Sequence, residues 1–174
     1  MKNEKHRPYQ LVAYDPTWPE QFIEKKNRIL KALSDSVVAI HHMGGTSIPS
    51  MITKPQIDIL VVVNDLQAAR EKASAMIEQG FVAHGDYTGI NEEYFTEDTA
   101  DGKRLTSIHV LGVGHPQIEK ILIFRDHLMK NKEDRDLYIS VKKELYNKYA
   151  DNYPQYTIGK EVVILEIIKR AEQK

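Results

Sequence analysis

The stretch HMGGTSIPSMITKPQIDILVVV, residues 42–63, ends in a β-branched run with one acid inside it and carries a glycine pair near its start. Gln56 to Val63 is bounded by Lys54-Pro55 before it and by Asn64-Asp65 after it. It is apolar at nearly every position, which predicts a central strand buried on both faces. Side chains alternate along a strand, so Gln56, Asp58 and Leu60 share one face and Ile57, Ile59 and Val61 the other. A carboxylate buried alone costs several kcal/mol, so Asp58 requires a partner: a bound cation, a buried Arg or backbone donors. Upstream, Gly44-Gly45-Thr46-Ser47 suits a tight turn into a short helix. The same residues would make a phosphate cradle, with backbone N–H groups and the Thr46 and Ser47 hydroxyls as donors. No Gly-Lys-Ser/Thr follows, so the segment is not a P-loop.

Outward from this stretch, Val37 to Met43 reads as a strand, and Trp18, Phe22, Ile29, Leu30 and Leu33 place a helix over 17–33 after Asp15-Pro16. A second helix is predicted over 65–79, stopped by Gly80. Residues 81–114 change to short alternating runs, with an Asp101-Gly102 hairpin signal between 92–96 and 103–113. After His115-Pro116 the pattern is helical over 117–130, 133–149 and 157–173, with breaks at Asn131-Lys132 and Asp151-Asn152-Tyr153-Pro154. The last helix is almost wholly aliphatic from Val162 to Ile168, so its burial against the rest of the chain is expected. The fold class read from this order is α/β in the α+β sense: a mixed sheet, flanking helices and a C-terminal helical segment, in one domain over 1–174.

Composition narrows the function. The 174 residues carry 24 basic and 25 acidic groups, which argues against a large nucleic-acid surface or a membrane-surface binder. The charge is uneven: residues 1–102 hold 10 basic and 15 acidic groups, residues 103–174 hold 14 and 10. An anionic ligand is therefore expected on the C-terminal side. The absence of cysteine removes thiol nucleophiles, disulfides and thiolate zinc sites. The polar opening MKNEKHRPYQ and the five-residue limit on aliphatic runs, Ile59 to Val63, predict no leader, no membrane span and a cytoplasmic protein. There is no GxSxG, HExxH or GxGxxG pattern to support a hydrolase triad, a zincin or a Rossmann cofactor.

Several cations are candidates for an anion. Ile118, Ile121, Leu122, Leu128 and Met129 define an apolar helix face on which Arg125 lies, so its guanidinium needs an acid such as Asp58 or a substrate phosphate. Asp126 points about 100° away and is expected to cap or orient. Lys160, beside Tyr156 and Thr157, opens the last helix; Arg104 and Lys54 are further candidates by position. On the strand beginning at Lys103, Ser107 and His109 share a face. A site built from His42, Asp58 and His109 would favour Mn²⁺ or Zn²⁺ over Mg²⁺, because imidazole prefers transition metals. The nine tyrosines suggest base stacking without locating it.

YDPTWPEQF (14–22), HMGGTSIPSMITKPQIDILV (42–61), SIHV (107–110), FRDHL (124–128) and YTIGK (156–160) together resemble the GrpB family. The strand, Gly-Gly turn, short helix and acid-bearing strand resemble the nucleotidyltransferase fold of polymerase-beta-like and aminoglycoside-modifying enzymes. In active members two acids at alternate positions of one strand, with a third on its neighbour, hold divalent metal and transfer a nucleoside monophosphate from a triphosphate to an acceptor. Asp58 matches the second acid and would be the catalytic metal ligand. The first falls at neutral Gln56, and the third position offers Ser107 and His109, the latter matching a family histidine. The resemblance implies a nucleotide or other phosphorylated small molecule as partner. Its phosphates would sit at Gly44, Gly45, Thr46 and Ser47, and Arg104, Arg125 and Lys160 would offset their charge. The metal would be Mg²⁺ or Mn²⁺, less readily Zn²⁺. Two alternatives stand beside transfer: a non-catalytic nucleotide or phospholigand binder, favoured by Gln56, and a small metal-dependent hydrolase or isomerase using His42, Asp58 and His109.

Overall fold

The computed structural model describes residues 9–173; the first eight, on which most of the reading of a missing leader rests, lie outside the described residues. Helix α1 (Trp18–Leu33) opens where Asp15 Oδ1 accepts from both the backbone N–H and the hydroxyl of Thr17, each at 2.8 Å. Strand β1 (Val37–Met43) leads through a single 3₁₀ turn, Gly45–Ser47, to β2 (Ile57–Val63). The helix expected over 65–79 is two short ones, α2 (Leu66–Glu71) and α3 (Ala73–Glu78), because the chain leaves helical geometry at Lys72. Lys72 Nζ there donates to Leu33 O at 3.2 Å and to Ser36 Oγ at 2.9 Å, fastening the break to the end of α1. Strands β3 (Val82–Gly85), β4 (Glu93–Asp98) and β5 (Arg104–Gly112) follow, with the Asp101-Gly102 turn between the last two.

Four helices complete the chain: α4 (Pro116–Lys130), α5 (Lys132–Lys148), α6 (Tyr153–Gly159) and α7 (Glu161–Glu172). The break expected at 151–154 instead starts α6. Pro154 stands in the first turn, where a missing N–H costs nothing, and the Asn152 side chain accepts from Gln155 N at 3.4 Å. The last helix accordingly begins at Glu161 rather than 157.

The five strands are ordered β1-β2-β5-β4-β3, with β2 and β5 parallel and every other pair antiparallel, so the sheet is mixed as expected. Its two faces differ. Ile57, Ile59, Val61 and Val63 of β2 join Phe95, Ile108 and Val110 under α1, α2 and α3 in a continuous apolar core. On the other face Leu60, Val62, Met43 and Leu111 pack against Ile118, Ile121 and Leu122 of α4. A third cluster joins Ile48 and Met51, from the segment after the glycine turn, to Leu128, Tyr138, Val163 and Ile167 of the C-terminal helices. This cluster fixes the helices over the start of β2. Helix α7 is buried along one side only: Val163, Ile167 and Ile168 face inward while Val162 and Leu165 are 68% and 53% exposed, which narrows the burial expected of its aliphatic run. Among the described residues no helix is long and apolar enough to cross a membrane.

Candidate functional site

On the α4 side the sheet is left open at the beginning of β2, and a cleft of about 670 Å³ lies between it and the C-terminal helices. Asp58 is the acid at its sheet wall. It is paired in register with Met43 on β1 and Ser107 on β5, which puts it on the open face, as the alternation along β2 requires. The Gln56 amide donates to Asp58 Oδ1 and to Ser107 Oγ, the latter at 3.0 Å. The neutral residue where an acid was sought is therefore the partner of the acid that remains. Gly44, at φ +70°, lies against the same carboxylate, and a Cβ there would collide with Asp58 Oδ2; one on Gly45 would collide with Thr53. The glycine pair thus serves the close approach of two side chains to the turn.

Gly44 and Gly45 line the cleft, but the two hydroxyls after them are spent within the turn. Thr46 Oγ1 donates to Gln56 O at 3.0 Å and lies 2.9 Å from His42 Nε2. Ser47 Oγ donates to Gly44 O at 2.7 Å.

The histidines separate. His109 faces the cleft, two places along β5 from Ser107, with Nδ1 2.6 Å from Glu92 Oε2. Glu92 is fully buried and also accepts from Thr88 Oγ1 at 2.8 Å. Burial pushes its carboxyl up, but these two partners outweigh it and hold the group below the usual carboxylate range. His42 is in register with Ile59, hence on the opposite face, where its ring stacks on Phe22 of α1 at 4.9 Å. Burial pushes its pKa down to about 4, so it is neutral at pH 7. His42, Asp58 and His109 do not converge, and among the described residues no three His, Asp or Glu side chains are grouped to hold a metal ion.

The cations converge better. Arg125 lines the cleft, donates to His42 O at 3.0 Å and pairs with Asp126 at 2.7 Å. The long guanidinium folds back to the neighbour whose backbone direction had suggested an orienting role only. Arg104 lies at the edge of the cleft. It pairs with Asp98, donates to Tyr94 OH at 2.8 Å and to Ser107 Oγ at 3.5 Å, both of which line the cleft, and itself lines an adjoining pocket of about 140 Å³ with Tyr9 and Lys54. Lys54 donates to Tyr153 OH at 2.6 Å and lies 4.5 Å from the centre of that ring. Lys160 Nζ lies 4.5 Å from the Tyr156 ring, and burial together with the nearby Lys54 charge pushes its pKa down to about 8. Lys142 is 3% exposed and lies 5.4 Å from the Tyr138 ring. Burial, helped by Lys160 and Lys54, puts it well below the usual lysine range.

Lys142 and Glu92 escaped sequence reasoning. The signal for Lys142 was its spacing, since Asp134, Tyr138 and Lys142 recur every four residues and are the buried positions of α5. Tyr87, an exposed residue of the cleft lining, stacks on Tyr94 at 5.5 Å. Behind the lysines, Tyr9 donates to Tyr149 O at 2.6 Å and packs its ring on Tyr146, Tyr153 and Tyr156, anchoring α6.

The family model described as GrpB protein matches residues 8–170. The UPF0157 protein YqkA of Bacillus subtilis is 34% identical over 167 residues, which cover 96% of this chain and 47% of that protein. A dephospho-CoA kinase of Mycobacterium tuberculosis is 27% identical over 187 residues, covering 94% of this chain and 46% of the kinase. The chain thus spans about half the length of both relatives. Among solved structures, the conserved protein GrpB from Enterococcus faecalis superposes with a TM-score of 0.86 at 27% identity, over 93% of this chain and 96% of that one. The Cid1 poly(U) polymerase, solved with MgGTP bound, gives a TM-score of 0.55 at 14% identity over 79% of this chain and 44% of its own, a likeness of fold. With the family model matched nearly end to end and the Enterococcus structure superposed over almost all of both chains, the chain belongs to the GrpB family.

Proposed function

We propose that the cleft binds a nucleotide or a closely related phosphorylated small molecule. One observation carries this reading: a single cavity of about 670 Å³ gathers Lys54, Lys120, Lys142, Lys160 and Arg125 against only two acids, Asp58 and Glu92. Glu92 is already met by His109 and Thr88 and Arg125 by Asp126, which leaves the lysines against Asp58, a surplus of positive charge that an anion would neutralise. The remaining wall is apolar and aromatic, with Phe124, Ile121, Ile164 and Tyr87, which suits a base or another flat apolar group. The Cid1 polymerase shares the fold and was solved with MgGTP, which supports a nucleotide as the class of ligand.

Metal-dependent transfer of a nucleoside monophosphate to an acceptor is the second reading, and the place of Asp58 on β2 favours it. The residues present fit the metal poorly: Gln56 and Ser107 stand where two further carboxylates would be needed, and an amide and a hydroxyl do not supply the anionic oxygen set that Mg²⁺ or Mn²⁺ prefers.

Titration calorimetry of ATP and GTP, with MgCl₂ and with EDTA, tests both readings. Binding is expected in both buffers, and Asp58→Asn is expected to tighten it about fivefold by removing a like charge near the phosphates. Loss of Mg²⁺-dependent binding in Asp58→Asn would favour transfer. No binding of either nucleotide in either buffer would overturn the proposal.

A further inference from the structure

We propose that Lys54, Lys142 and Lys160 form a polyphosphate subsite that works without a divalent metal, their ammonium groups supplying the positive charge that would otherwise come from metal ions. The inference rests on the nucleotide reading and specifies how the charge of the ligand is met. All three lysines line the one cleft and share it with Asp58. Among the described residues none of the three forms an ion pair with a carboxylate: Lys142 lies 5.4 Å from the Tyr138 ring and Lys160 4.5 Å from the Tyr156 ring, while Lys54 is held by its hydrogen bond to the Tyr153 hydroxyl at 2.6 Å.

A ring face holds an ammonium near the cavity without neutralising it, so the charge stays available to a ligand. Lys142 is decisive because it is almost wholly buried without an ion pair, and the charges acting on it are two other lysines against the single acid Asp58. A lysine in such a place is costly to the fold unless something else uses it. Burial, and after it the repulsion among the lysines, lowers its proton affinity and that of Lys160. A polyphosphate would supply several anionic oxygens to three donors at once.

Inorganic tripolyphosphate is the probe that isolates this subsite, titrated by calorimetry in EDTA against adenosine as a base-only control. Wild-type protein is expected to bind tripolyphosphate in EDTA, and Lys142→Met and Lys160→Met are each expected to weaken it at least about tenfold. Adenosine binding should be unchanged in both variants. Circular dichroism melts check folding, and Lys142→Met is expected to melt no lower than wild type because an unpaired buried cation is gone. Tripolyphosphate binding that requires Mg²⁺, or is unaltered in both folded variants, would overturn the subsite. Failure of the nucleotide reading has a different signature: tripolyphosphate binds in EDTA while neither ATP nor GTP binds more tightly than tripolyphosphate.

Discussion

The two faces of one sheet divide the work of this protein. Toward α1, α2 and α3, β2 presents Ile57, Ile59, Val61 and Val63, all within 2% of complete burial. Toward α4 to α7 the same strand presents Asp58, then Leu60 and Val62, so its C-terminal half is sealed by α4 while its beginning stays open. The first face contributes apolar area and little else. The second gives up part of that area to hold a carboxylate and an amide on one wall of a lysine-lined cavity. Alternation along seven residues is enough to put stability on one side and chemistry on the other.

The largest effect that would test this division is on the dry face. Ile59 is completely buried, and Ile59→Ala should destabilise the fold by about 2–5 kcal/mol through lost transfer energy and a residual cavity. Nucleotide affinity of the folded fraction should not change. Guanidinium unfolding alongside calorimetry measures both, and a large loss of affinity in folded Ile59→Ala protein would break the separation of faces.

His42 gives the next largest effect, also on the dry face. Its folded pKa of about 4 lies below the ordinary value of 6.5, so the neutral form is favoured in the native state. The unfolded chain then binds more protons across that interval, and stability falls as pH falls from 6.5 toward 4. The full loss is about 3 kcal/mol. His42→Gln should remove that part of the slope, read as the difference between the two proteins in unfolding free energy at pH 7 and pH 4.5. Identical slopes would mean that the half-buried ring does not bear the cost of protonation. The cleft counterpart is Lys142→Met, where the opposite pairing is expected: retained stability with lost anion binding.

How much of this was legible in the sequence follows the same division. The dry face was readable because apolar periodicity reports burial directly: β1, β2 and α1 lie within a residue or so of where the pattern puts them. The break at Lys72 was not readable, since it depends on an ammonium reaching Leu33 and Ser36 across the fold. In the cleft, Asp58 stood out as an acid in an aliphatic run, and Lys54, Lys160 and Arg125 were named from position and family resemblance. The role of Gln56 as the partner of Asp58 required strand register, and the turn's use of its own hydroxyls required coordinates. Lys142 looked like one lysine among several on a charged helix; only the packing of α5 against Ile48, Met51 and α7 turns it inward. His42 and His109 were grouped by residue type, whereas pairing with Ile59 and Leu60 sends them to opposite faces.

The position of a bound ligand tests the division most directly. A crystal of the protein grown with ATP in EDTA should show the triphosphate among Lys54, Lys142 and Lys160, with the base toward Tyr87. A triphosphate held elsewhere, or one that enters the cleft only with a metal ion on Asp58, would contradict it.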